Sequence, residues 1–245
     1  MFTFDKRFLY IIMAIIIIRG LMPYFTDVNM LIGLLMSLPA VLIAITFHEF
    51  AHAYAADKLG DETPRQQGRL NLNPLSHIDP IGFILLIFAG FGWGKPVEIN
   101  QNNFNRTVSL RKGNALVSLA GPVMNFILAI IFSIIYAVFL VVGKTFLLTT
   151  AGGIVSSIIL SIISMNVGLG VFNLIPLPPL DGSKILTAIL PTNARNWMEN
   201  HEQLLYIIFV IIWITPIATM LIRPVINLIN TGLVNLIYLV VNLIT

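Results

Sequence analysis

The stretch Ile45-Thr46-Phe47-His48-Glu49-Phe50-Ala51-His52-Ala53-Tyr54 puts two histidines and a glutamate at the end of an apolar run. That run, Leu31–Ala55, is long enough to cross a membrane. Ionisable side chains are costly in hydrocarbon, and where they occur they generally mark a functional site. The stretch therefore predicts chemistry inside a membrane helix.

The composition is that of a membrane protein. Of the 245 residues, 57% are apolar and 10% are charged, whereas a soluble domain carries about a quarter charged residues. The longest polar stretch, residues 57–77, is too short to hold a core of its own. We therefore expect one membrane-embedded domain over residues 1–245. The chain has no cysteine, which excludes disulfides and thiolate metal ligands, and its net charge of +3 does not suggest nucleic acid binding.

Six apolar runs approach or exceed the length of about 20 residues that a membrane crossing requires. The sequence therefore predicts an all-α polytopic membrane protein with about six transmembrane helices. The runs are Phe8–Tyr24, Leu31–Ala55, Ala115–Val142, Ile154–Leu174, Leu204–Leu221 and Val225–Ile244.

The positive charges predict the orientation, because lysine and arginine concentrate in cytosolic loops. With six spans and both termini in the cytosol, eleven basic residues lie inside and three lie outside. The three outside are Arg19, Lys144 and Arg223. The eleven inside are Lys6, Arg7, Lys58, Arg65, Arg69, Lys95, Arg106, Arg111, Lys112, Lys184 and Arg195.

A further apolar run, Ile78–Gly94, is interrupted by Pro80 and Gly82. If it crossed the membrane, the basic residues of Lys95–Lys112 would lie outside and the charge bias would weaken. We therefore expect it to enter the membrane and return on the same side. Its pattern predicts a small membrane-re-entrant β-hairpin, with strands Ile81–Ala89 and Lys95–Asn100 around a glycine-rich turn. A half-helix is the alternative.

His48 and His52 have the spacing that puts two side chains on one face of a helix. With Glu49 they form the H-E-x-x-H arrangement of zinc hydrolases, in which two histidines bind the metal and the glutamate reaches the attacking water. The alternative interpretation is a polar cluster between helices, or a proton relay.

A catalytic zinc takes three protein ligands, so a third is needed. Without cysteine, the candidates are His77, His201 and the carboxylates. Asp181 is the best of them, because three nearby prolines, within Asn173–Gly182, prevent a helix and favour the irregular backbone on which polar membrane sites are built. We expect His77, His201 and Asp79 to be loop or interface residues.

A third motif, Gly121-Pro122-Val123-Met124-Asn125, interrupts the predicted third span. The glycine and proline are typical of a kink or of close helix packing. Asn125 is unusual in such an apolar run. Its amide would either hold substrate or an oxyanion, or bind one helix to another.

Together these motifs resemble the site-2 protease family of intramembrane zinc metalloproteases, in its compact six-helix form without a PDZ or CBS domain. The resemblance covers residues 41–186. The motifs that carry it are His48–His52, Asn73–Pro80, Gly92–Val97, Gly121–Asn125 and Asn173–Gly182.

The resemblance implies a Zn²⁺ ion held by His48, His52 and Asp181, with Glu49 as the residue that activates water. It implies that Asn125 and Asn173 contact the substrate or the developing oxyanion. The activity it implies is hydrolysis of peptide bonds within or near transmembrane segments of membrane proteins, often to release a regulator.

The expected partners are transmembrane substrates and the lipid bilayer, with no nucleic acid. We expect an integral protein of a prokaryotic cell membrane, with its active site toward the cytosol. The alternatives are a metal transporter and a non-catalytic scaffold that binds membrane helices. A transporter would need polar residues along a full path, and the outer halves of the predicted helices have few; the intact Glu49 disfavours a scaffold.

Overall fold

The computed structural model of the protein describes residues 22, 24, 26–89 and 94–245, and for residues 86–89 and 214 it describes the backbone alone. Most of the predicted first helix, Phe8–Tyr24, lies outside these residues. The described chain is α-helical, with one 3₁₀ turn at Gln101–Asn103. Its helices are α1 Val28–Lys58, α2 Thr63–Gln66, α3 Pro74–His77, α4 Pro80–Ala89, α5 Leu110–Val142, α6 Lys144–Leu147, α7 Thr150–Asn173, α8 Asp181–Ile189, α9 Thr192–Asn200, α10 Glu202–Ile214 and α11 Pro216–Ile244.

Four of these helices, α1, α5, α7 and α11, are long and apolar enough to cross a membrane. They contain 31, 33, 24 and 29 residues, against the roughly 20 that a crossing requires. Large apolar side chains cover their outer faces, as at Ile127, Ile131 and Leu228. The protein is therefore an integral membrane protein.

The predicted count of six spans is not confirmed, because the described residues contain four. The predicted fifth span, Leu204–Leu221, is divided at Thr215, which is extended (φ −106°, ψ 163°). A residue that precedes proline is disfavoured in the helical conformation, and Pro216 then begins a new helix. As a result α10 has only 13 residues, about 20 Å of helix. Pro224, which falls in the gap between the predicted spans Leu204–Leu221 and Val225–Ile244, lies inside α11.

The long helices pack around α5, which contacts α1, α7 and α11. Small residues such as Ala129 let the neighbouring helices approach it. The apolar core between α5, α7 and α11 is formed by Ala129, Ile159, Ile163, Val167, Val171 and Leu233.

The predicted β-hairpin is wrong: no strand occurs in residues 26–89 or 94–245, and Pro80–Ala89 forms helix α4. Asp79 accepts a hydrogen bond from the backbone N–H of Gly82 (2.8 Å) at the start of this helix. A helix satisfies its own backbone in hydrocarbon, whereas an isolated hairpin leaves edges unpaired. The predicted turn falls mostly on residues 90–93, outside the described chain.

The two ends of the predicted re-entrant run, residues 78 and 94, nevertheless lie next to each other. Ile78 and Gly94 form an isolated antiparallel bridge, and the N–H of Lys95 donates to the carbonyl of His77 (2.8 Å). Residues 78 and 94 are therefore neighbours, so the segment between them leaves and re-enters the fold at one place.

The polar loop after α1 is tied down by Asp61, a fully buried carboxylate. Asp61 accepts hydrogen bonds from the N–H and hydroxyl of Thr63 (3.1 and 2.6 Å), the N–H of Asn100 (2.7 Å) and the amide of Asn103 (2.9 Å). Burial raises the pKa of this carboxyl, but these hydrogen bonds outweigh burial and hold the pKa below its ordinary value. The loop is thereby fixed to the segment that leads into α5.

Candidate metal centre

His48 and His52 lie on α1, one turn apart, and both are buried. Their imidazole rings face each other edge to face, with centroids 4.6 Å apart. The two Nε2 atoms are 3.0 Å apart. The two histidines therefore share one face of the helix, as their i, i+4 spacing predicted, and their Nε2 atoms lie side by side.

Asp181, from a distant part of the sequence, is the third member of the group. It is the first residue of α8 and follows an irregular segment of turns at residues 174–180. Its Oδ2 lies 3.2 Å from Nε2 of His48 and 3.1 Å from Nε2 of His52. Within the described chain, these three residues form the single group of three or more side chains suited to holding a metal ion.

The hydrogen bonds of the two rings fix where their lone pairs point. Nδ1 of His52 lies 2.7 Å from the carbonyl of Val117, which can only accept. Nδ1 of His48 lies 2.7 Å from Oδ1 of Asn125. Both Nδ1 atoms therefore carry the hydrogen, and in a neutral imidazole the lone pair is then on Nε2.

The donor set fits a zinc ion. Two Nε2 lone pairs and a carboxylate oxygen converge within 3.0–3.2 Å of one another, an arrangement that is repulsive without a cation among them. Tetrahedral zinc with bonds of about 2.0–2.1 Å puts its ligand atoms roughly 3.3 Å apart. Hydrogen bonding of the remote ring nitrogen is also how zinc-binding histidines are oriented.

Asn125 is fully buried, and its amide is engaged on both sides. Its nitrogen donates to the carbonyl of Ala44 (3.1 Å) and to Oδ1 of Asn166 (2.9 Å), so its oxygen faces His48. The amide has no donor left for a substrate in this structure. These contacts orient His48, and the predicted contact of Asn125 with substrate stays a prediction.

Asn166 was missed by sequence reasoning. It is fully buried on α7, and its own amide nitrogen donates to the carbonyl of Ile162 (2.8 Å). It thereby fixes the amide of Asn125 from behind. A polar residue in an apolar span is itself a sign of a functional or structural role, so Asn166 could have been noticed. Its partner Asn125, however, is 41 residues away in the chain.

Gly121 explains the other half of the third motif. A Cβ atom at this position would lie 2.5 Å from Nε2 of His52 and 2.6 Å from Cε1 of His48. Only glycine lets α5 approach the two imidazoles so closely. The motif therefore combines a contact surface for the rings at Gly121 with a hydrogen-bond acceptor at Asn125, one turn further along.

Glu49 lies beside the metal group without belonging to it. Its Oε2 accepts a hydrogen bond from the backbone N–H of Val97 (3.2 Å). Its Oε1 lies close to Gly94, where a Cβ atom would be 3.2 Å from that oxygen. One carboxylate oxygen is thus anchored, and no described residue donates to the other.

The other predicted residues are spread around this centre. Asn173, at the end of α7, donates to the carbonyl of Leu169 (3.1 Å) and is partly exposed. His201 is exposed and stacks on Trp197. His77 ends the short helix α3 in the polar segment and is fully buried; its Nε2 donates to the carbonyl of Asn71 (2.7 Å), and burial lowers its pKa. Neither histidine belongs to the metal group.

The donor set and its burial among apolar helices are those of a membrane-embedded zinc metalloprotease. Comparison with known families agrees with this class. The chain belongs to peptidase family M50, whose family model matches residues 36–215, a range that contains all three members of the metal group. This match confirms the resemblance to the site-2 proteases.

Two similar proteins carry the name "Putative zinc metalloprotease". YwhC of Bacillus subtilis is 39% identical over 187 residues, which cover 76% of this chain and 84% of that protein. Rip2 of Mycolicibacterium smegmatis is 31% identical over 179 residues, which cover 71% of this chain and 65% of that protein. No solved structure matches the chain.

Proposed function

We propose that this zinc metalloprotease hydrolyses peptide bonds within or near transmembrane segments of membrane proteins, as a step in regulated intramembrane proteolysis. The observation that carries the proposal is the burial of His48, His52 and Asp181 among helices whose outer faces are apolar. A scissile bond that reaches this group must itself enter the membrane domain.

In this proposal His48, His52 and Asp181 hold the zinc ion. When bound, zinc supplies Lewis acidity, which polarises a scissile carbonyl and makes water acidic enough to lose a proton near neutral pH. The chain contributes the geometry. The carbonyl of Val117 and the Asn125 amide hold the two rings, so both Nε2 atoms keep their direction through a turnover.

Glu49 is proposed as the general base. The N–H of Val97 occupies Oε2, so Oε1 is the oxygen available to take a proton from the attacking water. The same oxygen then delivers the proton to the leaving amine nitrogen. A positioned acid–base residue typically contributes about 10² to 10⁴ in rate.

Substrate binding is proposed for Asn173 and Asn125. Asn173 is partly exposed, and its hydrogen bond to Leu169 leaves its oxygen and one N–H available. The hydrogen bond between Asn125 and His48 supports a role for Asn125 in orienting His48 more directly than a role in binding substrate. Its substrate contact would require one of its present hydrogen bonds to open.

We propose further that residues 1–245 act as a single domain in a prokaryotic cell membrane, with both termini and the active site toward the cytosol. The charge distribution of the sequence supports this orientation. The polar loop at residues 57–77 directly follows the helix that carries His48 and His52, and it offers the shortest route for water.

The test is cleavage by purified protein in lipid vesicles, with single-span membrane proteins as substrates and an unfolded soluble protein for comparison. Glu49→Gln should retain about one zinc per chain and lose about 10² to 10⁴ in rate. Glu62→Gln, an exposed carboxylate in the next loop, is the matched control and should cleave normally. Cleavage by Glu49→Gln within about threefold of wild type would contradict the mechanism, and preference for the soluble protein would contradict the substrate class.

A further inference from the structure

Arg69 is a buried cation with an unusual set of partners. Arg69 is only 5% exposed. Among the described residues it forms no ion pair with a carboxylate. Its guanidinium donates instead to three backbone carbonyls, those of Ser76, Lys95 and Pro96. Burying a charge is costly unless hydrogen bonds compensate it, so these three contacts are what keeps Arg69 in place.

The three carbonyls belong to the two segments that meet at the Ile78–Gly94 bridge. Ser76 lies just before the bridge on one segment, and Lys95 and Pro96 lie just after it on the other. The planar guanidinium can donate several hydrogen bonds in fixed directions. Arg69 therefore joins the two segments beside the point where the chain returns.

The contact with Pro96 has a direct consequence for Glu49. The carbonyl of Pro96 and the N–H of Val97 belong to the same peptide unit, which is trans. In a trans peptide these two groups point in opposite directions. Arg69 binds the oxygen of this unit (3.1 Å), and Glu49 accepts from its N–H (3.2 Å). One rigid peptide thus stands between the guanidinium and the carboxylate.

The charges reinforce this arrangement. A cation bound to a peptide oxygen polarises the unit and strengthens its N–H as a donor. Burial lowers the pKa of the Arg69 guanidinium, and the negative charges of Glu49 and Glu98 offset part of this shift.

We propose that Arg69 is a positioning residue for Glu49, acting through the Pro96–Val97 peptide, whose orientation it fixes. The inference rests on the proposed role of Glu49 as the base. Arg69 touches neither the metal group nor Glu49 itself. Its loss should therefore leave zinc and substrate binding in place and slow the chemical step.

The experiment compares Arg69→Gln and Arg69→Lys with wild type in zinc content, kcat, KM and the hydrogen exchange of the peptide that contains Val97. For Arg69→Gln we expect about one zinc per chain, an unchanged KM, a kcat about tenfold to hundredfold lower, and faster exchange. Arg69→Lys keeps the positive charge but loses the planar set of guanidinium donors. Its kcat and its exchange rate at Val97 should therefore lie between those of Arg69→Gln and wild type. Arg65→Gln is the matched control, because Arg65 lies in the same loop and pairs with Asp57.

Wild-type kcat in either folded Arg69 variant would overturn the proposal, and so would loss of zinc. If Arg69→Gln does not fold, Arg69→Lys carries the test. Failure of the proposed function is recognised separately. In that case Glu49→Gln retains activity, while the exchange of the Val97 amide in Arg69→Gln still reports whether the peptide is held.

Discussion

At the scale of single residues, Asp181 decides whether the two histidines of α1 and the start of α8 form one metal site. Its oxygen is the single anionic member of the group. Asp181→Asn replaces it with a neutral amide, which is a poor zinc ligand. We expect a zinc content well below one per chain after dialysis against a chelator, at unchanged helix content by circular dichroism.

The two other histidines that the sequence offered provide the controls for Asp181. His201→Ala should bind zinc normally, since His201 is exposed and contacts Trp197. His77→Ala should also keep zinc, although removing a fully buried ring lowers stability. Loss of zinc in either histidine variant, with full zinc in Asp181→Asn, would show that the ligand assignment is wrong.

The sequence was informative about the residues of this site and less so about what holds them. His48 and His52 could be paired from their spacing alone, because i, i+4 residues share a helix face. The supporting contacts could not be predicted in this way, since each joins residues at least 20 positions apart in the sequence. They are the contacts of Asn166 with Asn125, of Arg69 with Pro96 and of the Val97 N–H with Glu49. Such contacts depend on tertiary packing, which a local pattern does not contain.

At the scale of elements, Asp61 should govern the stability of the polar loop. Asp61→Asn removes a carboxylate that accepts four hydrogen bonds, and leaving buried donors imperfectly paired costs about 2–3 kcal/mol. We expect the Tm in detergent at pH 7 to fall by about 5 °C or more. Glu62→Gln, next in the chain and exposed, should change the Tm by less than about 1 °C.

The pH dependence of this effect has a definite sign. The folded pKa of Asp61 is depressed, so its stabilisation is present above its unfolded pKa of about 3.9. It is lost as the pH falls through the folded value. The Tm difference between wild type and Asp61→Asn should therefore shrink progressively below about pH 4. A difference that stays constant down to pH 2 would mean that the charge of Asp61 does not contribute.

The elements also show where a pattern leaves two structures open. The apolar run before residue 90 has no polar alternation, and such a run fits a strand or a buried helix equally well. The backbone resolves the ambiguity as α4, a helix that needs no partner strand. Near the C-terminus the chain has two prolines, Pro216 and Pro224, and the predicted gap between the last two spans falls at the second. The helix begins at the first and continues through the second.

At the scale of the whole molecule, the proposed orientation can be tested with cysteine labelling, since the chain has no native cysteine. Single cysteines at Thr107, Leu148 and Thr245 would sit at exposed positions. In intact cells, a membrane-impermeant maleimide should label Leu148→Cys and spare the other two until the cells are opened. Labelling of Thr245→Cys or Thr107→Cys from outside would contradict the orientation.

The bridge between Ile78 and Gly94 has a consequence for how such proteins can diversify. Because the two ends of the intervening segment are joined at their base, its length is uncoupled from the positions of α1, α5 and the metal group. Closing a longer loop adds only about 0.6 kcal/mol for each doubling of its length. We therefore expect the segment to tolerate changes in its length while α1, α5 and the metal group keep their positions.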